Sequence, residues 1–486
     1  MSKTALKSMN KLLIAGEWRT TQKSIPVINP YDGSIIAEVA EAGEREIEEA
    51  ISSAEEAFQT TRKMPAHQRA DILYKTSLQI DQQKEAFAEC IALEAGKPWK
   101  YALAEASRAA QTFRFAAEEA KRLHGETIQL DAAIGAEGRT GLFLRQPLGV
   151  IAAISPFNFP LNLVAHKLAP AIAAGNSVIL KPASKTPLTA LMLGEVLLNS
   201  GLPPKALSIL VGPGSTVGER LIQDKRIRMI TFTGSPSVGL HIKATCGSKK
   251  TLLELGSNSG ILIDASSNLD RAVQQSLVAG FAYQGQVCIH AQRLYIHEQI
   301  YSKASEKLLD GIQKLKIGNP LDRDCDFGPM IDESAAKQAE SWVNEAVQQG
   351  ARLLCGGKRV KSYFEPTLLE NVKPAMRAVC EEIFGPVVVL DTFSNFQEGI
   401  RKFNEGSRAG TYRYGLSAGV FTDNLSNVLY AIEEIEVGNL LINDPSTFRV
   451  DQMPYGGLLE SGIGREGPRF AIEEMTEIKM ISLRNS

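Results

Sequence analysis

Between Gly149 and Glu254, short apolar runs alternate with stretches of helical character, and this alternation restricts the fold more than any other feature of the chain. The runs GVIAAIS, NSVILKP, LSILVG, RMITFTG and KTLLEL are of the kind buried on both faces of a parallel sheet. Between them lie LTALMLGEVLLNS, ended by Gly201 and Pro203, and TVGERLIQ, both helical in pattern. Repeated strand–helix alternation predicts a doubly wound α/β unit, since each crossover between parallel strands needs a helix. A second α/β stretch is expected from about 258 to 455, with GILID, RLYIH and VVVLDTF as strands and SNLDRAVQQSLVAGFAY as a helix.

Two other textures flank these units. Residues 43–122 place apolar side chains at helical spacing, as in REIEEAISSAEEAFQ and AEASRAAQTFRFAAEEAKRL. From Glu126 to Pro147 two alternating segments surround a glycine-bearing turn, a hairpin pattern. An isolated two-stranded ribbon is marginal in water, so this one must pair or pack elsewhere, and an oligomer contact is one way. The tail segment EIKMISLRN has the pattern of a final strand.

Composition narrows the function. The 486 residues are 44% hydrophobic and 22% charged with a net charge of −2, which points away from nucleic-acid and anionic-membrane partners. No apolar run reaches transmembrane length, and the N-terminus lacks the core of a secretory signal. Six scattered cysteines (Cys90, Cys246, Cys288, Cys325, Cys355 and Cys380) form no C-x-x-C pair. They read as free thiols in a reducing cytoplasm, with neither a disulfide framework nor a metal site.

The first ligand signal is a set of glycines. Gly212, Gly214 and Gly218 follow a strand and open a helix, where the backbone can approach a phosphate. Their spacing, G-x-G-x-x-x-G, is one residue off the dinucleotide fingerprint, and a glycine-rich turn without a ligand reads the same way. A second such turn, Phe232-Thr233-Gly234-Ser235, follows the next strand.

The blocks PFNFPLNLVAHKLAPAIAAGNSVILKPASKTPLTA, ITFTGS, LLELG, GQVC, EEIFGPV and PYGGLLESGIGREG then occur in order along the chain. In sequence and spacing they resemble the signature blocks of the NAD(P)-dependent aldehyde dehydrogenase superfamily, over nearly the whole length. The resemblance implies a coenzyme domain (1–124 and 148–255), a catalytic domain (256–455) and an oligomerisation element (125–147 and 468–486), assembled as a homodimer or homotetramer.

Individual roles follow from the same resemblance. Cys288 matches the nucleophile; a thiolate suits an aldehyde carbon because its adduct can leave as a thioester. Asn158 matches the oxyanion donor, working beside the Cys288 backbone N–H. Glu254 matches the general base that activates water for thioester hydrolysis. Its presence favours hydrolysis over transfer to coenzyme A. Lys181 and Ser184 fall where the family grips the adenosine ribose. Glutamate is frequent at the latter position in NAD-preferring members, so Ser184 removes a repulsion toward a 2′-phosphate and favours NADP while permitting NAD. Glu382 and Phe384 match residues that hold the nicotinamide ribose and ring.

The substrate is implied less closely. His166, His290 and Arg449 would lie near the substrate tunnel, Arg449 in a loop over its mouth, and a cationic rim suits a small polar or anionic aldehyde such as a semialdehyde, a lactaldehyde or a phosphorylated triose. A packed or solvated residue is an equal reading for each. Two rivals stand beside the hydrolytic dehydrogenase: a coenzyme A-acylating relative, and a non-catalytic binding protein of the same fold. The chain also departs from the family twice. Ser257 replaces a common glycine, and NEGSRAGTYRYGLSAG is several residues longer than the usual run before Tyr414-Gly415-Leu416.

Overall fold

The five apolar runs after Gly149 become five parallel strands of one sheet. Val150–Ile154 lies between Ser177–Lys181 and Ile227–Thr233, and Leu207–Ile209 and Lys250–Glu254 extend the two sides. The chain therefore builds outward from Val150–Ile154 in one direction, then returns and builds in the other. That reversal opens a crevice at the carboxyl ends of the strands, where ligands of open α/β sheets bind. This architecture comes from a computed structural model that describes residues 10–484. Residues 1–9 and 485–486, the extremes of the expected first and last segments, lie outside the described residues.

The sheet has eight strands because three short ones join it. Leu12–Ile14 and Glu17–Arg19 form a hairpin on one edge, and Gly462–Ile463 pairs antiparallel with Lys250–Glu254 on the other. Strands of two or three residues carry no readable period, so the return of the chain at 462 is a feature of the tertiary structure alone. The helices Ala66–Gln82, Lys84–Ala95, Trp99–Ala120 and the wholly buried Asn162–Ala174 pack together on this unit.

The second sheet has seven strands, in the order Arg352–Cys355, Thr367–Glu370, Val387–Phe393, Arg293–His297, Gly260–Ile263, Ser417–Phe421, Asn439–Ile442. All neighbours are parallel except the edge strand Arg352–Cys355. The hairpin also exists: Glu126–Ile128 pairs with Arg139–Pro147, and Thr476–Arg484 adds a third strand in register from Thr476 opposite Pro147 to Arg484 opposite Arg139. The expected final element beginning at 468 divides in two, since Pro468–Glu474 is a helix packed on Asn162–Ala174 and Trp99–Ala120. No described helix is long and apolar enough to cross a membrane.

Candidate active site

The loop that presents Cys288 begins with an unusual backbone. Tyr283, Gln284 and Gly285 are consecutive residues with φ of 49°, 54° and 66°. Left-handed backbone at two non-glycine residues stores strain of about 1–3 kcal/mol each, so tertiary contacts must hold it. They do: the Tyr283 hydroxyl donates to the Ala95 carbonyl at 3.0 Å, and Gly285 lies so close to Gly385 that a Cβ would come within 2.1 Å of its carbonyl oxygen. The loop leaves Cys288 half-buried, its Sγ 3.2 Å from the Tyr455 hydroxyl, beside Leu416 and Ile289. Burial pushes the thiol up to about 11, against the hydrogen bond from Tyr455 and the charge of Arg449. No hydrogen-bond acceptor for the Cys288 backbone N–H occurs among the described residues.

Asn158 reaches the same loop from the carboxyl end of Val150–Ile154. Its buried amide donates to the Gln286 carbonyl at 2.9 Å, which uses one of two N–H groups and leaves the other. Behind it lies a buried ion pair. Lys97 bonds one oxygen of Glu105, and the other oxygen accepts the Leu161 and Asn162 N–H groups at 2.9 and 3.1 Å. The Lys97 ammonium sits 3.7 Å from the Phe159 ring centre and 4.4 Å from that of Tyr283. One cation thus packs against both the Asn158 loop and the Cys288 loop.

Glu254 ends the strand Lys250–Glu254. Both its carboxyl oxygens are buried, and neither has a hydrogen-bond partner among the described residues. Burial, reinforced by the charge of Glu466, holds this acid well above the usual carboxylate range. Glu466 itself is fully paired. Lys167 donates to it at 3.1 Å and to Thr233 at 2.7 Å, and Arg449 donates to its other oxygen at 3.1 Å. Burial opposes ionisation of Glu466, but Lys167, His166 and Arg449 outweigh it and hold the carboxyl low.

The network continues outward. His166 Nε2 lies 2.9 Å from Asp451 and 3.1 Å from Arg449; Asn162 donates to Asp451 at 3.0 Å. Arg108, whose side chain is 31% exposed, grips Asp451 with two nitrogens at 2.8 and 3.2 Å. Of the two readings open for Arg449, a rim cation or a packed residue, the structure has it packed. Its guanidinium is only 7% exposed, lies 3.7 Å above the Tyr455 ring and is neutralised by Glu466. Arg108 is the partly open cation of this network. His290 is packed elsewhere, against Gly285, with its imidazole depressed to about 4 by burial although the Gly280 carbonyl works the other way.

Most of the residues expected to hold a cofactor follow the carboxyl ends of the parallel strands, whereas Glu382 and Phe384 come from the loop before Val387–Phe393. Lys181 is buried, its ammonium lowered to about 8 by burial, and among the described residues only the Pro182 carbonyl, at 3.4 Å, accepts from it. Gly218 lies against the Lys181 stem, where a Cβ would sit 4.0 Å from it, and the space above Gly214 is open. The odd glycine spacing has a physical reason: Gly214–Gly218 is a π-turn, whose wider ring takes up one extra residue before the helix Glu219–Gln223. The Ser184 hydroxyl donates to the Gly212 carbonyl at 2.8 Å. Gly234 is folded onto the Phe232 ring, within 2.4 Å of where a Cβ would be, and Ser235 precedes the helix Pro236–Thr245. Glu382 accepts the Ser257 N–H at 3.0 Å, yet burial still raises it to about 7. Phe384 meets Phe157 edge to face at 5.8 Å. Ser257 fits where glycine is common, its hydroxyl 3.0 Å from that of Ser259.

Sequence reasoning singled out neither Tyr455, Lys167, Glu466 and Asp451 nor Arg108. The first three lie inside quoted blocks or beside His166, but their partners are distant in the chain, and no local pattern announces such pairs.

The family model described as the aldehyde dehydrogenase family matches residues 18–481. The chain is 43% identical over 472 residues to a 3-sulfolactaldehyde dehydrogenase of Priestia aryabhattai, covering 97% of each protein. It matches the crystal structure of aldehyde dehydrogenase 21 from Physcomitrella patens in complex with the reaction product succinate, with a TM-score of 0.94, 42% identity and 98% of each chain covered. A glyceraldehyde-3-phosphate dehydrogenase from Methanocaldococcus jannaschii complexed with NADP matches with a TM-score of 0.90 and 37% identity, over 96% of this chain and 100% of that one.

Proposed function

The chain belongs to the aldehyde dehydrogenase family and oxidises an aldehyde with a nicotinamide cofactor, and we propose that Cys288, Asn158 and Glu254 carry out the oxidation. The observation that carries this reading is the buried carboxyl of Glu254, which has no hydrogen-bond partner among the described residues and whose charge raises the Cys288 thiol. A carboxyl in that state is costly to bury and is suited to taking a proton. Cys288 attacks the aldehyde carbon as the thiolate, its proton passing by way of Glu254 to solvent, so that the carboxylate is free again for the hydrolytic step. The free Asn158 N–H and the Cys288 backbone N–H receive the oxyanion. Bound at the strand ends, the nicotinamide cofactor supplies the hydride acceptor. The thioester left on Cys288 is then hydrolysed by a water that Glu254 deprotonates, and the acid is released without coenzyme A.

The chain's own residues suit the cofactor. Lys181 is a buried ammonium with no salt-bridge partner among the described residues, beside a glycine-lined opening at Gly214 and Gly218. Phe232, Gly234 and Ser235 shape the neighbouring turn, and Glu382 and Phe384 lie on the nicotinamide side. Ser184 puts no carboxylate beside Lys181, which removes a repulsion toward a 2′-phosphate. We therefore favour NADP over NAD. We further assign residues 1–124 and 148–255 to coenzyme binding and 256–455 to catalysis. Residues 125–147 and 468–486 are assigned to a homodimer or homotetramer contact. The exposed Ile478, Met480 and Leu483 on the last strand support the contact. Six free thiols fit a cytoplasmic enzyme.

The substrate is a small polar or anionic aldehyde, and an anionic one suits the site best. The named relatives act on or release compounds bearing a sulfonate, a carboxylate or a phosphate, and Arg108, with His166 and Arg449 behind it, provides the cation such a group requires. Initial rates with succinate semialdehyde, glyceraldehyde 3-phosphate, lactaldehyde and propanal, each with NADP and with NAD, test the reading. Preference for a charged aldehyde with NADP, and free acid formed without added thiol, is expected. A neutral aldehyde turned over best would remove the anion reading, and product appearing only with coenzyme A would remove the hydrolytic role of Glu254.

A further inference from the structure

The run before Tyr414, longer than the family's usual one, packs directly on the segment that carries Glu382. Past the helix Phe396–Arg408, Thr411 donates its backbone N–H at 2.7 Å and its hydroxyl at 2.6 Å to one oxygen of Glu381. The Tyr414 hydroxyl lies 3.5 Å from the other oxygen of that carboxylate. Gly410 lies flat on the Cys380 carbonyl, where a Cβ would come within 2.3 Å of the oxygen. From the interior, the buried Gln292 amide donates to the Glu381 and Ala378 carbonyls at 2.7 and 3.0 Å and accepts the Ile383 N–H at 2.9 Å. The backbone on either side of Glu382 is thus held from within by Gln292, and from outside by the additional residues.

The other end of the run reaches the opposite wall. The Arg413 N–H donates to the Glu460 carboxylate at 2.5 Å, and the Arg413 carbonyl accepts the Glu460 N–H at 3.0 Å. The adjacent Ser461 hydroxyl donates to the Gly256 carbonyl at 2.8 Å, and the Ser461 carbonyl accepts the Leu255 N–H at 3.0 Å. Gly256 is the surface on which Glu382 rests: a Cβ there would lie 2.0 Å from Oε2, while the Ser257 N–H holds Oε1. The run is therefore bonded to both walls between which the Glu382 carboxyl sits. An irregular loop such as 381–386 has few backbone bonds of its own, so ties of this kind set its local stability.

We infer that residues 409–413 form a positioning clasp, Thr411 on Glu381 and Arg413 on Glu460, that holds Glu382 in place to take the nicotinamide-side ribose of the cofactor. The inference rests on the assignment of Glu382 to cofactor binding made above. Thr411 is exposed, so its loss frees the loop without opening the core.

The test uses the full-length enzyme without aldehyde: calorimetric Kd for NADP and for NAD, and hydrogen exchange across residues 377–386. Glu381→Ala weakens cofactor binding about fivefold and speeds exchange in that segment, and Thr411→Val does so about threefold. Thr411→Ser, which keeps the hydroxyl, stays within about twofold of the parent. Glu382→Gln serves as the reference for the underlying assignment. Unchanged binding and exchange in Glu381→Ala and Thr411→Val, with binding weakened in Glu382→Gln, overturns the clasp and leaves that assignment standing. Unchanged binding in Glu382→Gln removes the assignment and the clasp together. Faster exchange throughout the protein, with Thr411→Ser no better than Thr411→Val, means general structural support and also overturns it.

Discussion

Two sets of buried acids lie behind Cys288, and their surroundings treat them in opposite ways. Glu466 and Asp451 are each held by several cations or donors, so their charge is compensated where it sits. Glu254, which feels the charges of Lys167 and Arg449, has no hydrogen bond to either oxygen among the described residues. A paired buried charge roughly balances its desolvation cost, whereas an unpaired one is a net cost that the rest of the fold must carry. The paired set belongs to the architecture, and the unpaired acid is where chemistry is expected.

The largest effect that can break this contrast is on turnover. Glu254→Gln is expected to lower kcat roughly a thousandfold, with acyl-enzyme accumulating after one turnover. Stability should move the other way. An acid raised above its unfolded value makes folding progressively less favourable as pH climbs past the unfolded pKa of about 4.3. The Gln variant should therefore melt at the same temperature as the parent near pH 4 and higher at pH 8. A melting temperature that falls at pH 8 would place Glu254 in the paired class. Next in size, Lys167→Met leaves Glu466 with one cation fewer and should cost about 3–5 kcal/mol of unfolding free energy in urea titrations. A cost below about 1 kcal/mol would erase the distinction between the two sets.

Arg108 offers a finer test, because it sits at the open end of the paired network. Arg108→Ala should raise KM for succinate semialdehyde about tenfold and leave that for propanal unchanged. Equal changes for both would return it to the purely architectural class. The smallest effect concerns the thiol. With Cys288 at about 11, alkylation by iodoacetamide should climb about tenfold per pH unit through pH 9 without levelling. Tyr455→Phe removes a bond that favours the thiolate and should slow alkylation about threefold at fixed pH. A plateau near pH 7 would mean the thiolate is already stabilised in the free enzyme.

Much of the fold could be read along the chain. The five parallel strands after Gly149 appear as apolar runs because strands buried on both faces tolerate little else, and the hairpin at 126–147 appears as alternation. The Gly462–Ile463 strand does not, since two residues have no period. Among site residues, Cys288, Asn158 and Glu254 stood out through their blocks. The structure brings Asn158 to the Cys288 loop and leaves Glu254 unpaired near the thiol. Arg449 was left open between a rim cation and a packed residue, because nothing near it in sequence marks Glu466, 17 residues away, as its partner. The contact of Thr411 with Glu381 left no pattern in the sequence, because the two lie 30 residues apart.

What the sequence by itself determined was the order of strands and helices and the chemical identity of the reacting groups. These depend on local periodicity and on residue type, which a linear string records. Only the tertiary structure decided which charges are compensated. Lys97 with Glu105, Arg108 with Asp451 and Thr411 with Glu381 are joined across 8, 343 and 30 residues. Whether a buried carboxyl is an architectural partner or a reactive acid depends on what surrounds it at 3 Å, and that distance exists only once the chain has folded.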